Sequence, residues 1–273
     1  MIIMDGNLFK VIIYVKGVSF VPNTDYKNHP ANQGKDFDFD GRISEAVLKN
    51  YLSRSMNISV ISNPSEDPAG DRRLVLRTGA KYLYRANMMW LAETDYSDAA
   101  IHKYKAVIDD YHDADPDIVF EANVLETVHV CCARTPVPDW LFAEFDQPVE
   151  SRGFDYDKMI FTSGKYVNYW GDGFSVPDST RIETQMYLYY RARRYIDAGF
   201  ESIHWCQLML VGEDDENYAG YHKVITKIRE YAKAHSRRHF VLQTGSTQGM
   251  LGPDGKLLLD FHTYPTRDRK SVV

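Results

Sequence analysis

Thr180 to Val211 reads TRIETQMYLYYRARRYIDAGFESIHWCQLMLV. The stretch opens on Thr180-x-x-Glu183, the pattern of a capping box, in which each side chain satisfies a backbone N–H left over at a helix start. Ile182, Met186, Tyr189 and Ile196 then recur at helical spacing. Gly199 stands where a helix end favours a left-handed residue. Glu201 to Val211 follows at once, apolar and rich in β-branched and aromatic residues, and predicts a strand. A capped helix joined to a strand by so short a turn is half of a βαβ unit, and it predicts a parallel sheet.

The alternation extends outward in both directions. Upstream, strands are expected at Val11–Phe20, Asn57–Ser62, Lys81–Met88 and Asp117–Val128, with a weaker fifth at Met159–Phe161. Between them lie a helix capped by Ser44 that carries Val47, Leu48, Tyr51 and Leu52, and a weak helical stretch near Leu74. A second capped helix follows Ser97, with Ile101, Tyr104, Val107, Ile108 and Tyr111 at helical spacing, and a short helix runs from Pro138 to Phe145. Downstream, a helix carries Tyr218, Tyr221, Val224, Ile225, Ile228 and Tyr231, and strands are expected at His239–Thr244 and Lys256–Tyr264. Eight candidate strands in 273 residues predict an α/β protein with a (β/α)8 TIM-barrel fold. An open doubly wound sheet would carry a Gly-rich phosphate loop after its first strand, and Gly171-Asp172-Gly173 is too short for that fingerprint. The expectation is one domain over residues 1–267. Asp268 to Val273 matches the translation of a sequencing-library adapter, so a non-native tail and a C-terminally truncated barrel are expected.

Composition narrows the function classes. A formal net charge of −6 disfavours a nucleic-acid partner, which would want a basic stripe. No apolar run reaches the length of a membrane span, and no secretion signal is visible, so a cytoplasmic protein is expected. The three cysteines, Cys131, Cys132 and Cys206, form no disulfide framework and predict buried thiols.

Barrel sites lie at the C-terminal ends of the strands, and the candidates follow from that. Glu126 closes the fourth strand, where a carboxylate in an apolar run wants a partner or a function; the alternative is a rim carboxylate held by Arg85 or Arg134. Glu121 has the opposite strand parity, so the two cannot both point into a barrel along one strand. The sixth strand offers His204, Trp205 and Gln207, with Trp205 able to stack on a sugar or simply pack. Asp260 and His262 share one face of the eighth strand, either as site residues or as a mutual hydrogen bond closing the barrel floor. Arg85 is a buried-looking cation. Tyr166, Tyr169 and Trp170 make an aromatic loop of the kind that binds ligands, and Glu213, Asp214 and Asp215 either reach a ligand or favour the next helix start.

Asp5-Gly6-Asn7 and Val15-Lys16-Gly17-Val18-Ser19-Phe20 resemble the first strand of many (β/α)8 glycoside hydrolases. The run Asp197–Gln207, with Leu258–His262, resembles an uncharacterised bacterial family of the same barrel type. In the large retaining clan the resemblance implies an Asn-Glu pair ending strand four and a nucleophilic glutamate ending strand seven. Here strand four ends Leu125-Glu126, and Phe240 to Gly245 holds no carboxylate. The expected function is a carbohydrate-active barrel, a glycoside hydrolase with Glu126 as general acid. Asp260 or an acid of the 213–215 loop would be the second carboxylate. Arg85, His204, Trp205, Gln207, His262 and Trp170 would bind a carbohydrate or other small polar ligand, with no cofactor or metal. Two alternatives stay open: a metal-dependent isomerase or hydrolase using Glu126, His204, Asp260 and His262, and a sugar-binding barrel without turnover.

Overall fold

The computed structural model describes residues 28–62, 64–88, 97–246 and 249–262. The expected strand Val11–Phe20, the resemblance at its start, the end of the expected eighth strand and the 268–273 tail lie outside those residues.

Alternating strands and helices build one sheet. Its strands are β1 (Ser55–Asn57), β2 (Tyr82–Met88), β3 (Val119–Val124), β6 (Ser202–Trp205), β7 (Leu242–Gly245) and β8 (Phe261–His262), hydrogen-bonded in that order and parallel throughout. A separate antiparallel pair joins β4 (Val128–His129) to β5 (Phe174–Ser175). The helices are α1 (Glu45–Ser53), α2 (Pro68–Thr78), α3 (Asp98–Ala114), α4 (Asp139–Glu144), α5 (Ile182–Asp197), α6 (Leu208–Val211) and α7 (Ala219–His235). Ser44 and Ser97 cap α1 and α3 as expected, accepting from the N–H groups of Val47 and Ala100.

The sheet is curled. Registered rows alternate between its faces. Leu83, Phe120, Ala122, Val124, Ile203 and Trp205 enter the main apolar core with the helices, so that face is convex and helix-covered. Tyr82, Glu121, Ser202 and Thr244 bond to one another on the other face, which is therefore concave. Phe37, Phe39 and Tyr51 pack beneath it with Tyr82, Val119 and Leu242, sealing the N-terminal end of the strands. Lys81, fully buried there, is neutralised by Asp115 at 2.6 Å.

Several expected elements take another form. Met159–Phe161 is no strand, and β3 pairs directly with β6 (Glu121↔Ser202 through Val124↔Trp205), which leaves no position for a fifth strand between them. Asn57–Ser62 is extended strand only at its start, although the Ile58 and Ile61 N–H groups still bond to the Tyr84 and Ala86 carbonyls. The expected strand Glu201–Val211 breaks at Cys206, and Leu208–Val211 is helical. The capping box does not form: Thr180 donates its hydroxyl to Asp178, and Glu183 is held by Arg152 at 2.6 Å. Helix α5 starts without a side-chain cap. Gly199 does fall in the left-handed region, φ +99°, just past α5.

Candidate functional site

The concave face carries a polar layer near its C-terminal end. Met88, Asn123, His204, Thr244 and Phe261 form one registered row across β2, β3, β6, β7 and β8. One pleat below sits Glu121, fully buried. It accepts the Tyr82 hydroxyl, the Thr244 hydroxyl at 2.9 Å and the Arg85 N–H at 3.3 Å. Burial pushes the Glu121 carboxyl up to about 7, against the pull of these donors. Burial, aided by the Arg85 charge, pushes His204 down to about 3, so the ring is neutral; its Nδ1 lies 3.0 Å from Thr244 Oγ1.

Above this layer the chain leaves β3 and β6. Glu126 follows β3 by two residues and is buried, and its Oε1 accepts the Gln207 side-chain amide at 2.5 Å. Burial raises the Glu126 carboxyl, opposed by hydrogen bonds and by the charges of Arg191 and Arg85. Buried Arg191, on α5, holds the turn itself by donating to the Leu125 carbonyl at 2.9 Å. Gln207 begins α6 with φ +35°, and Arg85 sits at a bulge of β2 with φ +56°. A left-handed non-glycine residue of this kind costs roughly 1–3 kcal/mol, and such strain clusters at ligand sites. At Arg85 the bulge has a visible result: its N–H serves the Glu121 carboxylate, while its guanidinium lies over the Tyr84 ring, 5.8 Å from the centroid.

Of the residues singled out in the sequence, Glu126 and Gln207 touch. His204 lies in the polar layer beneath them, and Arg85 acts on Glu121, Glu126 and His204 through its charge. Arg134 is exposed and leaves Glu126 to other partners. Trp205 is turned to the convex side, where its ring meets Tyr221 of α7 at 5.9 Å and its N–H donates to Gln243 at 2.7 Å; a ligand has no access to it. Asp260 is likewise placed away from Glu126. It accepts the Gln243 N–H at 2.7 Å and pairs with Arg229 of α7 at 3.0 Å, tying the β7–β8 edge to a helix. His262 shares that parity, opposite to the inward Phe261, and is exposed; the expected Asp260–His262 hydrogen bond is replaced by the Arg229 pair. The four-residue metal set therefore does not assemble, and among the described residues no other group of three His, Cys, Asp or Glu could hold a metal ion.

The aromatic loop stands beside the turn that holds Glu126. Only Thr127 separates Glu126 from β4, and β5, the partner of β4, closes the loop. Tyr166, Tyr169 and Trp170 stack edge to face at 5.1 and 4.8 Å, with Tyr169 and Trp170 exposed. Glu213 anchors the loop through the Tyr166 hydroxyl at 2.5 Å and Lys165 at 2.6 Å. Asp215 is buried and accepts the Gly220 and Tyr221 N–H groups, so it serves the start of α7 rather than a ligand.

No family model matches it, and no curated protein matches it. Function therefore has to be argued from the geometry.

Sequence reasoning gave Glu121 little weight and passed over Tyr82, Thr244 and Asn123. Opposite parity would separate Glu121 from Glu126 only in a strand that ran on through residue 126. The strand ends at Val124, so Glu121 faces inward and Glu126 reaches the same end of the sheet from a turn. A carboxylate spaced two residues from Asn123 in an otherwise apolar strand was the available signal.

Proposed function

We propose that the chain is a carbohydrate-active barrel in which Glu126 donates a proton to a glycosidic oxygen. The observation that carries this is the setting of Glu126: a buried carboxyl at the C-terminal end of a parallel sheet, one oxygen held by Gln207 and the pKa moved toward neutrality. A general acid needs that combination of position and a carboxyl whose pKa burial raises. The exposed rings of Tyr169 and Trp170 near that end of the sheet offer apolar faces on which a pyranose can stack.

A second reading, a sugar-binding barrel without turnover, is favoured by one observation. Asp260 is engaged by Arg229 and Gln243, and Glu213 by Lys165, so these two carboxylates expected as partners of Glu126 are held elsewhere.

A panel of aryl glycosides tests both. Glu126→Gln keeps the shape but cannot give up a proton, so turnover should vanish while sugar affinity stays within about tenfold. Wild-type turnover in the variant would make Glu126 structural. Affinity without turnover in the wild type would leave the second reading.

A further inference from the structure

The hydrogen bonds of the concave face have a direction, and it determines which groups there can still accept a proton. Once Glu121 is ionised, above about pH 7, it can only accept, and the one hydroxyl proton of Thr244 goes to it. The 3.0 Å contact between Thr244 Oγ1 and His204 Nδ1 must then take its proton from the ring. His204 is thereby the Nδ1–H tautomer, and its other nitrogen, Nε2, is an acceptor. Asn123, registered beside His204, donates through Nδ2 to Cys206 Sγ at 3.3 Å, and its Oδ1 is buried without a hydrogen-bond partner. Glu126 gives Oε1 to Gln207, and its Oε2 is likewise buried without one. Leaving such an atom unmet costs roughly 1–3 kcal/mol, so two of them at one end of a sheet mark a place for donors.

We propose that Asn123, His204 and Glu126 form an acceptor-lined subsite for the vicinal hydroxyls of a sugar or open-chain polyol, with Glu121 acting as a positioning residue that fixes the His204 tautomer through Thr244. Each hydroxyl brings a donor to one of these three acceptors. The subsite deepens the carbohydrate reading and rests on it for the ligand class; the tautomer does not.

Nitrogen-15 NMR of the full chain tests the tautomer, with the His204 ring signals assigned by their loss in His204→Gln. The wild type should show a protonated Nδ1 and a bare Nε2. Thr244→Val should give a mixture of tautomers, and Thr244→Ser should restore the wild-type pattern. A wild-type Nε2–H ring, or an unchanged tautomer in Thr244→Val, overturns the positioning role. Titration with xylitol and with 1,5-pentanediol, which lacks the inner hydroxyls, tests the subsite. Xylitol should bind at least about tenfold tighter and shift the His204 signals, and Asn123→Leu should remove about tenfold of that affinity. Equal binding of the two probes, no binding of xylitol, or an unaffected Asn123→Leu overturns it. Aryl-glycoside turnover is read separately, so loss of the general-acid reading with polyol binding intact would leave the subsite standing.

Discussion

The rings of Tyr82 and Phe261 meet edge to face at 5.8 Å although β2 and β8 are four strand positions apart in the sheet. In a flat sheet that separation would be about 19 Å at the usual strand spacing. The contact is a direct measure of the curl, and it can be weighed. A double-mutant cycle with Tyr82→Leu and Phe261→Leu, followed by chemical denaturation, should give a coupling energy of about 1 kcal/mol. Additive losses would mean that the two edges of the concave face do not meet in solution.

Glu121 predicts a pH dependence whose sign is fixed. Its folded pKa, about 7, lies above the ordinary carboxyl value of 4.5, so the folded state holds the proton more tightly than the unfolded chain. The associated stability is fully present below about 4.5 and is lost as pH rises through about 7. Glu121→Gln removes that titration, while the other buried carboxyls titrate in both proteins. Relative to wild type, the variant should gain about 3 kcal/mol between pH 4 and pH 8, read from denaturant midpoints. A constant difference across that range would show that Glu121 ionises normally.

Gln207 should trade stability against function. Gly at φ +35° relieves strain of roughly 1–3 kcal/mol, offsetting the lost hydrogen bond to Glu126. Gln207→Gly is therefore expected to unfold within about 1 kcal/mol of wild type and to lose glycoside turnover or sugar affinity by about tenfold, roughly the weight of one hydrogen bond. A large drop in melting temperature with activity retained would make Gln207 a structural residue only.

Asp260 gives the opposite expectation. Because it binds Arg229 and the Gln243 N–H, Asp260→Asn should lower stability by about 1 kcal/mol and leave turnover unchanged. A hundredfold fall in turnover with normal stability would return Asp260 to the catalytic role that the sequence suggested.

Much of this architecture was legible in the sequence wherever a local rule and the tertiary environment agreed. Ser44 and Ser97 cap their helices as local pattern predicts, accepting from the Val47 and Ala100 N–H groups. Asp260 and Phe261 take opposite faces, as strand parity requires. The failures share a physical cause, a competing partner that the helix or strand pattern does not contain. Asp178 takes the Thr180 hydroxyl and Arg152 takes Glu183, which dissolves the capping box. Leu208–Val211 is as apolar as a strand, but the left-handed turn at Gln207, next to Glu126, redirects it into a helix. The site itself was half visible. Glu126 and Gln207 stood out singly, while their contact joins positions 81 residues apart, which no local pattern encodes.

The floor beneath the sheet has a consequence for the order in which the chain can fold. Arg238 donates to the Phe37 carbonyl at 2.8 Å across 201 positions, and its guanidinium lies over the Phe39 ring at 4.4 Å. During synthesis from the N-terminus, the Phe37–Phe39 segment leaves the ribosome long before its anchor is made. At 5–20 residues per second the wait is on the order of 10–40 seconds. Through that interval the two phenylalanines have Tyr51, Tyr82 and Val119 to pack on but lack the guanidinium that closes over them, and long-range closure of this kind is slow in itself. The vulnerable species in a cell is thus the nascent chain short of Arg238, and a chaperone that shields the Phe37–Phe39 segment would protect the yield without touching the finished fold.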